Sequence, residues 1–169
     1  MRKLIQKATS RTSVDILLVE DNAGDIRLLR EAFKECSIEA KLSVVRDGDE
    51  AMSFLRRQPP YEKGPRPELI LLDLNLPRKD GREVLAEIKG EPDLRQIPVM
   101  ILSTSTRPED VDNAYDLHAN SYISKPTDIA GLIAMTKTIE AFWLKTSILA
   151  GGFPSQPQMP PMSAARRIS

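Results

Sequence analysis

The chain has 169 residues, 41% of them hydrophobic and 28% charged, with 24 basic against 24 acidic side chains. That composition belongs to a globular protein, not a disordered or fibrous one, and a chain of this length can bury about two-thirds of its unfolded surface around one core. A single cysteine, Cys36, excludes an internal disulfide or multi-thiolate metal site, a single histidine, His118, excludes a two-histidine zinc motif, and no apolar run approaches the ~18 residues of a membrane span.

Residues 1–13 carry Arg2, Lys3, Lys7 and Arg11 and no acid, which predicts a basic N-terminal tail without a secretory signal. Residues 150–169 add Arg166 and Arg167 and again no acid, so removing these six bases leaves 18 basic against 24 acidic residues in 14–149, a net of −6. An acidic body argues against a nucleic-acid-binding domain, which shows a basic stripe. Within that body, short apolar runs alternate with helical patterns. Strands are expected at Val14–Val19, Lys41–Arg46, Glu68–Asp73, Val99–Ser103 and Ser121–Ser124. Three of them hold continuous apolar runs, as strands covered on both faces require.

Helices are expected between the strands. Asp25–Cys36 places Ile26, Leu29 and Phe33 at helical spacing, and Asp49–Arg57 and Arg82–Lys89 follow the same rule. Thr106-Arg-Pro-Glu109 has the form of a capping box with an early proline, opening a helix to about Ala119. His118 near its end and Cys36 near the end of the first helix read as structural. Gln58–Pro67, with four prolines, is a long loop. The last helix is expected from Asp128 to Leu149, and the proline-rich stretch 150–169 as a poorly ordered tail. Five strand–helix repeats predict a parallel sheet covered by helices on both faces, a single domain over 14–149.

In such a fold, ligands bind beyond the carboxyl ends of the strands. The residues there are Glu20-Asp21, Asp73, Ser103 and Ser124-Lys125-Pro126. Three converging carboxylates repel one another unless a cation neutralises them, and hard oxygen ligands with room for waters and phosphate suit Mg²⁺. Asp73 beside the metal is then a carboxylate nucleophile able to form an acyl phosphate. Lys125 supplies a point charge, and Ser103 a hydroxyl, for the phosphoryl oxygens.

Leu-Val-Glu-Asp-Asn, Leu-Leu-Asp-Leu-Asn-Leu-Pro, Ile-Leu-Ser-Thr-Ser and Tyr-Ile-Ser-Lys-Pro resemble the receiver domain of two-component response regulators, over about residues 14–145. The resemblance implies a flavodoxin-like doubly wound sheet, strand order 2-1-3-4-5. It implies a phosphoryl group taken by Asp73 from a histidine kinase, with Mg²⁺ held by Glu20, Asp21, Asp73 and the backbone carbonyl of Asn75. Ser103 and Tyr122 become the switch pair, and Lys125–Pro126 the family's cis peptide. The stretch from Leu72 to Lys89, the proline-rich loop and Ile-Glu-Ala-Phe-Trp-Leu further resemble stand-alone regulators paired with bacterial and cyanobacterial phytochromes. These lack a DNA-binding output module and catalyse only their own phosphorylation and dephosphorylation.

Leu132, Met135, Ile139 and Phe142 recur at helical spacing, with Trp143 beside them. A helix of 22 residues measures roughly 33 Å at 1.5 Å per residue and overhangs a sheet of short strands. Ile139, Phe142 and Trp143 are therefore expected at a homodimer interface. Two other classes compete. A Mg²⁺-dependent phosphatase also forms an aspartyl phosphate, but Asn75 stands where that chemistry places a second aspartate. An adaptor that is never phosphorylated would have no need of the acid pocket.

Overall fold

The computed structural model describes residues 13–147 and Leu149. The strands are β1 (Ser13–Val19), β2 (Glu39–Val45), β3 (Leu69–Leu72), β4 (Val99–Ser103) and β5 (Ser121–Ser124), all pairing in parallel in the order β2-β1-β3-β4-β5. The helices are α1 (Ala23–Lys34), α2 (Gly48–Leu55), α3 (Gly81–Gly90), α4 (Pro108–Asp116) and α5 (Ile129–Ile139), followed by a π-helical segment, Glu140–Thr146. This is the doubly wound sheet that the alternation of runs predicts. The expected tails, Ser13 apart, lie outside the described residues.

Burial explains the order of the strands. β3 and β4 are buried at every position, while the edge strands β2 and β5 are mostly half-exposed. Successive side chains point to opposite faces. Leu17, Val19, Ile70 and Leu72 therefore pack against α2 and α3 through Met52, Val84 and Leu85, with Ala114 of α4 in the same cluster. Ile16, Leu18, Leu69 and Leu71 face the other way, onto α1 and α5 through Leu29, Phe33, Leu132 and Ile139.

Caps fix where the helices begin. Asn22, Asp47 and Asp128 each accept a hydrogen bond from a backbone N–H in the first turn of α1, α2 and α5. Asp80 and Glu83 form a reciprocal capping box on α3. The capping box expected at Thr106 and Glu109 does not form: α4 starts at Pro108 with Arg107 as N-cap and no side-chain cap bond. Glu109 turns instead toward the Arg107 guanidinium, 3.7 Å away.

Two further expectations are corrected. The cis peptide joins Pro59 to Pro60, and Lys125–Pro126 is trans; proline narrows the gap between the two forms without dictating either. The last helix does not run as α-helix to Leu149 but widens to π geometry from Glu140, where Ser147 N–H reaches the Phe142 carbonyl five residues back at 2.8 Å. A buried carboxylate stands at the start of this segment. Glu140 accepts from Ser37 N–H (2.7 Å), Ser37 Oγ (2.6 Å) and Ile38 N–H (2.8 Å) in the loop between α1 and β2. Burial pushes its pKa up, but these bonds and nearby Lys145 win and hold it below the usual carboxylate range. The wider turn leaves Leu144 buried, Trp143 half-buried and Phe142 55% exposed. Ile139, 1% exposed, belongs to the core rather than to an outer face.

Candidate functional site

Backbone pairing carries the chemistry-bearing residues one step past the strand ends. Glu20 N–H donates to the Val45 carbonyl at 3.0 Å, Asp73 N–H to that of Val19 at 3.0 Å, and Lys125 N–H to that of Ser103 at 2.8 Å. Four strands thus deliver Glu20, Asp73, Ser103 and Lys125 to one edge of the sheet, all of them buried, with Asp21 exposed at the rim. One carboxylate oxygen each from Glu20, Asp21 and Asp73 lies within 4.8 Å of the others.

The Lys125 ammonium is the centre of this cluster. It donates to Glu20 Oε2 at 2.6 Å, Asp73 Oδ2 at 3.0 Å and Asp25 Oδ2 at 3.1 Å, so three carboxylates take its three donors. Burial opposes its charge, but the bonds to Glu20 and Asp73 outweigh burial and raise its pKa, leaving it protonated across the working range. Glu20 is pushed the other way. Desolvation raises its pKa above the ordinary carboxyl value, against the hydrogen bonds from Lys125 and from the Asn22 N–H. Four carboxyl groups around one ammonium leave an excess of negative charge in an all-oxygen donor set. That chemistry fits a hard divalent cation, with Glu20, Asp21 and Asp73 as its carboxylate ligands.

The other expected residues stand as follows. Asn75 is exposed, and its N–H donates to Asp73 Oδ1 at 3.0 Å, which orients the second oxygen of that carboxylate. Ser103 is fully buried, and its Oγ accepts the Ser105 N–H at 3.1 Å, leaving its own proton free to donate elsewhere. Tyr122 is half-buried, with its hydroxyl on the Ser105 carbonyl at 2.9 Å. It is tied to the loop that leads into α4 rather than to Asp73.

Asp25 is the residue the sequence reading missed. Its N–H is the one that Asn22 caps, at 3.0 Å, so in sequence it reads only as the acid of a first helical turn. The available signal was its position one turn into the helix that follows Glu20-Asp21, which places it over the same sheet edge.

Comparison with known proteins places these residues in context. The model of the family described as the response regulator receiver domain matches residues 16–137. Response regulator Rcp1 of Synechocystis sp. is 54% identical over 134 residues, which span 79% of this chain and 91% of that protein. The crystal structure of the Mn²⁺-bound form of Rcp1 has a TM-score of 0.75 at 53% identity, covering 80% of this chain and 98% of that one. The phosphorylated cyanobacterial phytochrome response regulator RcpA has a TM-score of 0.77 at 52% identity, covering 81% and 98%.

Proposed function

The chain belongs to the response regulator receiver family, and from that premise we propose that Asp73 accepts a phosphoryl group from the phosphohistidine of a histidine kinase in a Mg²⁺-dependent step. What supports the reading above all is the placement of Asp73 between the Glu20–Asp21 acid pair and the Lys125 ammonium, 3.0 Å from its Oδ2. In the step, a carboxylate oxygen of Asp73 bonds to phosphorus as the P–N bond to the imidazole breaks. The imidazole keeps the bonding pair as its leaving group and takes up a proton.

Each neighbour then has a task. Lys125 exchanges its contact with Asp73 for one with a phosphoryl oxygen, and the Ser103 hydroxyl donates to another. Glu20, Asp21, Asp73 and the backbone carbonyl of Asn75 would hold the Mg²⁺, which when bound neutralises charge on the transferred group. Ser103 and Tyr122 form the switch pair, with Tyr122 reporting the position of the Ser105 loop to the face formed by α4, β5 and α5. The chain catalyses nothing beyond its own phosphorylation and dephosphorylation.

The partner kinase in this reading is a phytochrome, because two of the chain's relatives of known structure share over half their sequence with it and one is described as a phytochrome response regulator. Among the described residues no helix is long and apolar enough to cross a membrane. Phe142 and Trp143 form the proposed homodimer contact, with Ile139 supporting them from the core. Incubation with acetyl phosphate followed by intact-mass spectrometry tests the phosphoryl step. One added phosphoryl group that requires both Mg²⁺ and Asp73 is expected, and none in Asp73→Asn. An adduct that persists in Asp73→Asn would assign the acceptor elsewhere.

A further inference from the structure

On the face of the sheet away from α1 and α5, one carboxylate joins three elements. Asp110, in the first turn of α4, is 6% exposed although nothing in helix formation demands its burial. It accepts from Arg82 of α3 at 2.6 Å, from Arg107 Nε at 3.1 Å and from the Ser105 hydroxyl at 2.5 Å. The first-turn charge that favours a helix dipole is already supplied by Glu109, which is exposed. The Ser105 hydrogen bond, with burial opposing and the two guanidiniums assisting, brings the Asp110 pKa down to about 2, so the carboxylate is ionised throughout the working range.

Ser105 is the node of this network. Its N–H goes to Ser103 Oγ, its carbonyl accepts from the Tyr122 hydroxyl and its own hydroxyl goes to Asp110, so all its polar groups are committed. Ser105 therefore cannot follow Ser103 without either carrying α4 with it or breaking a charge-assisted bond, the stronger kind of hydrogen bond. The other end is anchored as well. Arg82 also holds Asp80, the N-cap of α3, at 3.2 Å, and α3 begins at the end of the loop that leaves Asp73.

The geometry points to Asp110 as a positioning residue that couples the Ser103–Ser105 loop to α4, so that displacement of Ser103 at an occupied Asp73 is delivered to the α4 surface through the Ser105–Asp110 bond. This rests on the receiver reading, and it adds a transmitting residue that lies outside the acid pocket. A coupling path needs a measured coupling, not only adjacency.

The test uses the full chain, Mg²⁺ and beryllofluoride as the stand-in for the phosphoryl group. Binding is read by fluorine NMR, and the response by amide chemical shifts along 108–117. In the wild type, beryllofluoride is expected to shift the α4 amides together with those beside Asp73. In Asp110→Asn and in Ser105→Ala, binding within about threefold of wild type is expected, with the α4 shifts cut at least by half and those beside Asp73 retained. Ser105→Thr, which keeps the hydroxyl, is expected to keep the α4 response. Ser105→Ala alters no charge and carries the test if Asp110→Asn fails to fold. Undiminished α4 shifts in either variant would overturn the coupling role alone. Absence of beryllofluoride binding in the wild type would overturn the receiver reading, and this inference with it.

Discussion

Gly81 shows how little room there is around Asp73, the acceptor in the proposed reading. It opens α3 directly against the backbone it follows, and a Cβ placed there would lie 2.2 Å from the Asp73 carbonyl oxygen and 2.6 Å from the Leu74 Cα. Both neighbours are backbone in a buried strand end, so neither can yield as a flexible side chain would. Gly81→Ala is expected to lower stability by about 1–3 kcal/mol, the usual range for overpacking, read as a drop in the urea midpoint. The same displacement moves Asp73 relative to Lys125 and the acid pair. Misplacing reacting groups by about 1 Å can cost on the order of 100-fold, so labelling by acetyl phosphate is expected to slow by roughly 10- to 100-fold in the folded variant. Wild-type labelling in a folded Gly81→Ala chain would show that the site tolerates movement of its acceptor. Lys125 sets a similar limit from the opposite side, since three carboxylates hold it and, in the proposed step, a phosphoryl oxygen displaces one of them.

The end of α4 makes the same point for an element. Its C-terminus closes with His118 N–H on the Tyr115 carbonyl at 2.9 Å and Ala119 N–H on the Ala114 carbonyl at 3.0 Å, the paired bonds of a Schellman motif. That motif wants glycine in the left-handed position, yet His118 sits there with φ 68° and its side chain exposed. Left-handed backbone costs an ordinary L-residue roughly 1–2 kcal/mol, so His118→Gly is expected to gain about 1 kcal/mol after the added freedom of the unfolded chain is counted. Thermal unfolding should rise by a few degrees; an unchanged or lower midpoint would mean that the imidazole makes a stabilising contact. The sequence disclosed that this helix exists and roughly where it stops, because periodicity and an early proline are local signals. It disclosed β1, β3 and β4 for the same reason: strands buried on both faces must be apolar throughout. What it hid depends on contacts between distant segments. Asp110 meets Arg82 across 28 residues and Glu140 meets Ser37 across 103, and no local pattern encodes either. The acid pocket was legible because each of its residues ends a strand, whereas Asp25 enters it from a helix.

For the molecule as a whole, the decisive feature is what the π-helical turn leaves uncovered. The sequence's apolar stripe divides there: Leu144 and Leu149 return to the core, while Phe142 stays 55% exposed with its ring edge-on to Trp143, centroids 5.3 Å apart. Beside them a cavity of about 540 Å³ opens between β5 and α5, lined by Met100, Ile123, Met135 and the two aromatics. β5 is the edge of the sheet, so this face borders a strand with no further strand partner among the described residues. An exposed aromatic at the mouth of an apolar hollow on a sheet edge is the arrangement in which one side chain dominates an interface. In the homodimer reading, Phe142 of one copy fills the hollow of the other. Truncating such an anchor costs about 2 kcal/mol, roughly 30-fold in affinity. Sedimentation velocity of the wild type is expected to show a dimer at tens of micromolar, and Phe142→Ser a monomer at the same concentration. Because Phe142 lies outside the core, its loss should leave the unfolding midpoint nearly unchanged at concentrations low enough for the wild type to be monomeric, where association adds no stability, which separates a lost interface from a damaged fold. A wild type that remains monomeric at that concentration would remove the dimer from this reading and leave the β5–α5 hollow to a different partner.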